Sequence, residues 1–472
     1  MTARPLWTSH EAQDATGGAL VGPDWNASGV SIDSRSVADG DLFVALRGPN
    51  FDGHAYVADA LAKGAVAALI DTLPDFPANN PALLKVDETL TGLRALGIAR
   101  REAVGATVIG LTGSVGKTTT KEMLAAAFAA LGATHASPGS LNNHWGVPLS
   151  LARMPHDVRY GVFEMGMNHA GEIADLTGMV RPHVALITTV AAAHIEFFGT
   201  VEAIADAKAE IFQGVEPGGT AILPLDNPHY ARLAAAARAA GVTRHITFGE
   251  TAGADFLLKG VETGAEGLTV SAIAAGLPIS FHLNFFGKHQ AINALGALAA
   301  VHAAGADIAR AAAALEGLQP LKGRGGRRKI TLASGGELTL IDESYNASPA
   351  AVAAALGVLG AETPGPGGRR IAIIGDMLEL GEHSAALHAG LAGPAAANKI
   401  DIVHCCGPYA SYLWELLPAA MRGLRAPDST VLARSLTREL RAGDVVMVKG
   451  SLGSRMAKVV EVITSLASDG AA

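Results

Sequence analysis

Hydrophobic positions along this 472-residue chain cluster into short β-branched runs, set apart by turn residues and by longer stretches rich in alanine and leucine. In the first hundred residues the runs fall at 41–46, 66–70 and 83–86, which predicts a small α/β unit. A second group lies at 107–109, 160–165, 184–189, 220–223 and 244–248, with helical stretches between the earlier ones, among them a helix over about 117–131. Such alternation predicts a parallel sheet covered on both faces, with ligands at the C-terminal ends of its strands. Residues 253–285 alternate apolar and polar positions around several glycines, so an antiparallel strand pair is expected on the sheet edge. A last group predicts strands at 337–342, 371–375, 401–406 and 444–448, with helices at about 349–360, 383–397 and 453–467. That is again a doubly wound α/β arrangement. Between the last two groups, 321–329 is basic and holds glycines at 323, 325 and 326, so it reads as a hinge. Three units follow, 1–103, 104–322 and 323–472, a number that the length also suggests.

The strand at 107–109 runs into Thr112-Gly113-Ser114-Val115-Gly116-Lys117-Thr118-Thr119 and then into the helix. Glycines let backbone N–H groups approach an anion, and the helix N-terminus adds partial positive charge. Lys117 is placed to reach β/γ-phosphate oxygens, and the Thr118 hydroxyl to ligate Mg²⁺. The general P-loop pattern would need glycine at 111, which is Leu111; Gly110 falls one residue early. The loop is therefore a tighter variant, and its rival is a glycine-rich turn with a chance Lys-Thr. ATP is the expected ligand, cradled by residues 113–119.

Composition narrows the classes. The formal net charge is −8 and no basic run is long enough for a nucleic-acid surface. The two cysteines, adjacent at Cys405 and Cys406, make neither a disulfide framework nor a metal site, which suits a reducing cytoplasm. The first residues hold no apolar signal core. The alanine-rich window 291–304 carries Asn293 and His302, so it reads as a packed helix rather than a membrane span. A soluble intracellular protein is expected.

Several polar residues sit where strands should end. Glu164 suits Mg²⁺ beside phosphates, or is a solvated strand-end acid. His194 follows a buried strand, and reads equally as a cation ligand, a proton carrier or a structural histidine. Lys208 lies in a helical segment where a surface lysine is the ordinary reading. Asn293 could present its amide to adenine or simply pack on a helix face. The Asp33-Ser34-Arg35 turn suits a ribose or phosphate, and equally a surface Asp–Arg pair. Asp342, Glu343, Tyr345 and Asn346 form a strand-to-helix corner suited to ribose hydroxyls or cations, with helix capping as the rival. Asp376 and Glu379 end another strand in the same way, and Lys449 offers a cation at the end of a third.

Taken together these stretches resemble the Mur ligases of peptidoglycan synthesis. The resemblance runs nearly the whole length: Asp33-Ser34-Arg35, the Thr112–Thr118 loop (which accounts for Leu111), 141–148 with Asn142 and Asn143, and Phe163-Glu164-Met165-Gly166-Met167-Asn168. It continues through His194, the segment 207–212 around Lys208, Ser344-Tyr345-Asn346-Ala347, Gly375–Gly381 and Val448–Ser451. The Tyr345-Asn346-Ala347 and Gly375–Gly381 pieces are most similar to members that join D-alanyl-D-alanine to UDP-N-acetylmuramoyl-tripeptide. Two departures stand out: Gln290 replaces an asparagine in the segment ending at Asn293, and Glu343 replaces the second of two aspartates.

The resemblance implies a three-domain α/β enzyme. A UDP-sugar domain comes first, then a central P-loop parallel-sheet domain, then a Rossmann-like domain that closes about 322–328 with the dipeptide. It implies an acyl-phosphate route and the last cytoplasmic step in making the UDP-muramoyl-pentapeptide. Lys117, His194 and Lys208 would be catalytic, with Lys208 carbamylated. Thr118, Glu164, His194 and Lys208 would hold two Mg²⁺. Asn293, Arg324, Asp342 and Glu343 would join the P-loop around ATP, and Ser34, Arg35, Asn142, Asn143, Asn346 and Lys449 would bind substrate. The rivals are another ligase of this or the folylpolyglutamate type, and a P-loop NTPase switch with no acyl acceptor.

Overall fold

The computed structural model describes residues 4–73, 81–333 and 335–467. Its backbone forms three main sheets in sequence, one for each group of apolar runs. The first is five-stranded, in the order Ala19–Val21, Leu83–Lys85, Ala67–Ile70, Asp41–Val44, Gly29–Ser31, with only the Ala19–Val21 edge antiparallel. The helix Thr89–Ala103 leads out of it, and its buried Arg101 donates from Nε to the Val180 carbonyl at 2.7 Å. A buried guanidinium so used ties the first unit to the second.

The central sheet has nine strands. Seven are parallel, in the order Thr134–Ala136, Tyr160–Glu164, Thr107–Thr112, Val184–Ile187, Thr220–Pro224, Arg244–Gly249, Phe256–Thr263. The chain leaves Thr107–Thr112 toward one edge and later returns to its other side, so that strand marks the point where strand order reverses. Ligand crevices form at such points, beyond the strand C-termini. The edge expected to be a strand pair is a three-strand meander, Phe256–Thr263, Leu268–Ala274 and Leu277–Leu283. The missed turn is Ala275-Gly276, where both residues take positive φ (48° and 84°). Asparagine or aspartate usually marks that turn geometry, and alanine hid it inside an apolar run. The helix Lys288–Ala303 packs across this sheet, with its middle buried as expected of the alanine-rich window.

The third sheet has six strands in the order Gly326–Thr331, Glu337–Glu343, Val445–Lys449, Arg370–Gly375, Ile402–Cys406, Arg422–Ala426. Its first pair is antiparallel and the rest are parallel. Gly326–Thr331 corrects the hinge reading: the basic residues Arg327, Arg328 and Lys329 belong to an edge strand, and the connection is confined to 316–325. Charged side chains are what an exposed sheet edge carries to discourage pairing with other chains. The helix expected over 383–397 is broken into Ser384–Ala389 and Ala392–Ala397, and that over 453–467 narrows to Ala457–Thr464 behind Arg455 at φ 56°. Ala410–Leu416 and Ser429–Leu436 are further helices, the latter capped by Asp428. The apolar core under one face of the central sheet continues into the third unit, from Phe163 and Ile195 to Met377 and Leu380. Among the described residues, no helix is long and apolar enough to cross a membrane.

Candidate active site

The loop after Thr107–Thr112 is held by strict sterics. Gly113 has φ 153°, and a Cβ there would collide with Thr188 Oγ1; at Gly116 (φ 86°) it would lie 3.0 Å from the Asn293 amide. The loop is strapped to the end of Val184–Ile187: Ser114 N donates to Thr189 O at 2.8 Å, and Thr188 Oγ1 to Val115 O at 2.6 Å. The backbone N–H groups of 115–118 make no hydrogen bond among the described residues, as expected at a helix start waiting for an anion. Lys117 Nζ folds back onto the Gly113 carbonyl at 2.8 Å. Its pKa is pushed below the usual lysine value chiefly by burial, with Arg324 adding to the effect and the Glu164 and Glu379 carboxylates opposing it. Thr118 and Thr119 are buried in the first turn behind it.

Glu164 ends the adjacent strand and is buried. Its Oε1 accepts from Asn142 Nδ2 at 2.6 Å, while Oε2 is buried with no partner. A buried carboxylate oxygen without a donor is costly, and a hard cation would satisfy it. The loop bearing Asn142 is fixed by buried Lys121, whose Nζ donates to the carbonyls of Ser137 (2.7 Å) and Gly139 (2.6 Å). His194 follows the next strand at φ 59°, a strained conformation for a non-glycine residue. Lys208 stands in Val201–Ala209, and burial overturns its surface reading. Its pKa is driven well below the ordinary lysine value by burial first, and then by the Lys117 charge.

The third unit completes the cavity, which encloses about 410 Å³. Glu343 pairs with Lys449 Nζ at 3.0 Å, and the same ammonium donates to the Asn346 carbonyl at 3.1 Å. The Arg324 guanidinium lies 4.2 Å over the Tyr345 ring, whose hydroxyl meets Ser140 Oγ at 2.6 Å. Glu379 Oε2 comes within 2.5 Å of His194 Nδ1, off the in-line geometry of a hydrogen bond. That contact, the largest influence on it, holds the Glu379 carboxyl below its ordinary pKa. Asn293 and Gln290 line the wall beside the P-loop, and so does His289, whose pKa burial lowers.

Six of the expected residues are not part of this cavity's wall: Gly113, Lys208, Asp342, Asn143, Arg35 and Ser34. Asp342 and Glu343 are neighbours on one strand, so their side chains point to opposite faces. Asp342 turns inward to accept from Ser344 Oγ at 2.6 Å, leaving Glu343 alone to face the P-loop. Asn143 caps a helix, its Oδ1 accepting from Gly146 N at 2.9 Å. Arg35 is spread over Asp33 (2.7 Å) and holds that carboxyl down at about 2. Ser34 lies beside it, buried after the strand Gly29–Ser31. Residues that the sequence did not single out are His289 and Ser140. Glu379 was visible only as part of a motif, with no partner assigned.

A second cavity of about 370 Å³ opens at the C-terminal ends of the third sheet and shares Gly453 with the first. Its wall combines Arg455 and Lys458 with the buried Asp376 carboxylate, which accepts from the N–H groups of Tyr409 (3.0 Å) and Ala410 (2.7 Å). Burial raises the Asp376 pKa above the usual carboxylate value.

Three family models match the chain in order: "Mur ligase family, catalytic domain" over 26–98, "Mur ligase middle domain" over 111–301, and "Mur ligase, glutamate ligase domain" over 326–452. Among curated relatives, the UDP-N-acetylmuramoyl-tripeptide–D-alanyl-D-alanine ligase of Escherichia coli is 35% identical, covering 97% of this chain and 98% of its own. The enzyme so named from Rickettsia prowazekii is 32% identical over 97% of this chain and 99% of its own. Among solved structures, MurF from Acinetobacter baumannii aligns with a TM-score of 0.85 at 31% identity, covering 97% of this chain and 99% of that one. The MurF ligase of Thermotoga maritima in complex with ADP aligns at 0.77 and 28% identity, covering 93% and 97%.

Proposed function

Since this chain belongs to the Mur ligase family, we propose that it joins D-alanyl-D-alanine to UDP-N-acetylmuramoyl-tripeptide with cleavage of ATP to ADP and phosphate. The observation that carries this reading is the composite cavity, in which P-loop residues face Arg324, Glu343, Asn346 and Lys449 from the third unit. A switch NTPase needs no such second wall. An enzyme that must bring an acceptor amine to an activated carboxyl does.

Two bonds change in each half of the reaction. A tripeptide carboxylate oxygen bonds to the γ-phosphorus as ADP leaves, giving an acyl phosphate. The dipeptide amine then bonds to the acyl carbon, phosphate leaves with that oxygen, and the nitrogen's extra proton passes to the phosphate or solvent. Lys117 and the free N–H groups of 115–118 hold the phosphates in line and neutralise their charge. Glu164 with its unpartnered oxygen, Thr118 and His194 fit Mg²⁺, which supplies charge neutralisation between the two anions when bound. Lys208 joins this set as a carbamate. CO₂ bonds to its neutral amine with loss of a proton, and the lowered pKa supplies that neutral form. Asn293, Arg324 and Glu343 bracket the nucleotide.

Units 1–103, 104–322 and 323–472 divide the work as UDP-sugar holder, ATP site and dipeptide carrier. In the first, Ser34 and the Arg35 fork stand at a parallel strand's C-terminal end, where ligands collect. The second cavity suits a dipeptide, because Arg455 and Lys458 offer charge for its carboxylate and Gly453 opens toward the phosphate site. The enzyme works as a cytoplasmic monomer.

Phosphate release tests the reading. With ATP present, release is expected only when both the UDP-muramoyl-tripeptide and D-alanyl-D-alanine are added, and single amino acids should replace the dipeptide poorly. Full release from ATP alone would favour a switch. Equal use of a single amino acid would favour another ligase of the family.

A further inference from the structure

His194 and Glu379 reach each other from different units, and both hold a left-handed backbone, at φ 59° and φ 62°. Non-glycine residues keep that conformation only where surrounding contacts over-determine it. The contacts here are reciprocal. Glu379 Oε2 lies 2.5 Å from His194 Nδ1, and Glu196 N, two residues past the histidine, donates to the Glu379 carbonyl at 3.3 Å. Gly381 then lies flush against Glu196: a Cβ there would sit 3.1 Å from the Glu196 Cγ. The turn 379–381 is thus seated on the short helix Ile195–Phe198 by backbone and side chain together.

We propose that Glu379 is a positioning residue that makes His194 competent as a cation ligand only when the third unit is seated on the second. A carboxylate oxygen 2.5 Å from Nδ1 favours the tautomer that carries its proton on Nδ1 and turns Nε2 toward a cation. Metal-binding histidines use carboxylate partners in this way to fix tautomer and ring orientation. Because the carboxylate belongs to the third unit and the imidazole to the second, docking of the dipeptide-carrying unit and completion of the cation site become one event. The enzyme would then not activate the tripeptide carboxylate while the acceptor's unit is away. This rests on the reading of His194 as a cation-side residue.

The test is a double-mutant cycle on the full chain, read as kcat and KM for ATP. Beside it, Mn²⁺ titrations with a non-hydrolysable ATP analogue are followed by electron paramagnetic resonance. The Glu379 side chain is 45% exposed, so its removal leaves no buried void. Glu379→Ala is expected to lower kcat by about 10–100-fold and weaken Mn²⁺ binding by a similar factor, with KM for ATP changed by less than about threefold. Glu379→Gln, which keeps a polar oxygen beside Nδ1, should recover part of both losses. The double variant with His194→Ala should be no slower than His194→Ala alone, because Glu379 acts through that ring. Losses that multiply in the double variant would overturn the proposal. So would normal kcat and Mn²⁺ binding in Glu379→Ala while His194→Ala is impaired, a result that leaves His194 in its role. If His194→Ala is itself unimpaired, its cation-side reading falls and takes the proposal with it.

Discussion

Lys117→Ala should fold normally and lose ligation by about 10²–10³-fold or more, the scale expected when a preorganised charge is removed from the transition state. The retained fold follows from its contacts. The ammonium is desolvated, burial lowers its pKa, and its hydrogen bond goes to the Gly113 carbonyl of its own loop. Removing a cation that the folded state holds at a desolvation penalty does not weaken the core. The lost activity follows from position. The side chain leaves the first helical residue after Gly116, beside free N–H groups that can orient phosphates but carry no full charge. Steady-state phosphate release and product formation, beside thermal melting, separate the two effects. A folded variant with near-normal turnover would remove Lys117 from the phosphate site.

The next largest effect is expected at Lys208. An ammonium beside a bound cation is repelled by an energy on the order of 4 kcal/mol per charge pair in partly buried surroundings. Lys117 already opposes a second positive charge there, and burial acts in the same direction. Both shift Lys208 toward its neutral amine, the form that takes up CO₂, and a carbamate replaces the cation by two hard anionic oxygens. Lys208→Ala should therefore lose most activity and regain part of it when short-chain carboxylic acids are added, since a free carboxylate can enter the vacated space. In the wild type, ¹³CO₂ should give a carbamate carbon signal that the variant lacks. An active alanine variant, or an ammonium at Lys208 in the ATP-bound enzyme, would contradict this.

The sequence made some of this site plain and hid the rest for physical reasons. The P-loop is local: strand, glycines, lysine and helix start lie within a dozen residues, and backbone geometry fixes what they do. Glu164 and His194 were legible because one ends and the other follows a buried strand, and the C-terminal ends of those strands face one crevice. Of the Asp342–Glu343 pair, strand alternation allows only one side chain to reach the cavity, but a sequence does not say which face is inward. Buried Ser344 settles it by claiming Asp342. The burial of Lys208 could not be read from an alanine-rich helix segment, since it depends on how that helix packs against Glu172–Val180 and Tyr230–Ala239. The Gly326–Thr331 strand was masked by its charges, because an edge strand need not alternate apolar residues. The Glu379–His194 contact joins two sheets and leaves no local trace.

Oxygen-18 placed in the tripeptide carboxylate that becomes the new amide gives the most direct measurement of the chemistry. The ligation is run in unlabelled water with ATP and D-alanyl-D-alanine, and the released phosphate is analysed by mass. If that carboxylate is activated as an acyl phosphate in the composite cavity, each phosphate should carry one labelled oxygen, in step with each pentapeptide formed. Unlabelled phosphate released at the full rate would mean that water, not the tripeptide, takes the γ-phosphoryl group, and would contradict the assignment of this chain's site to ligation.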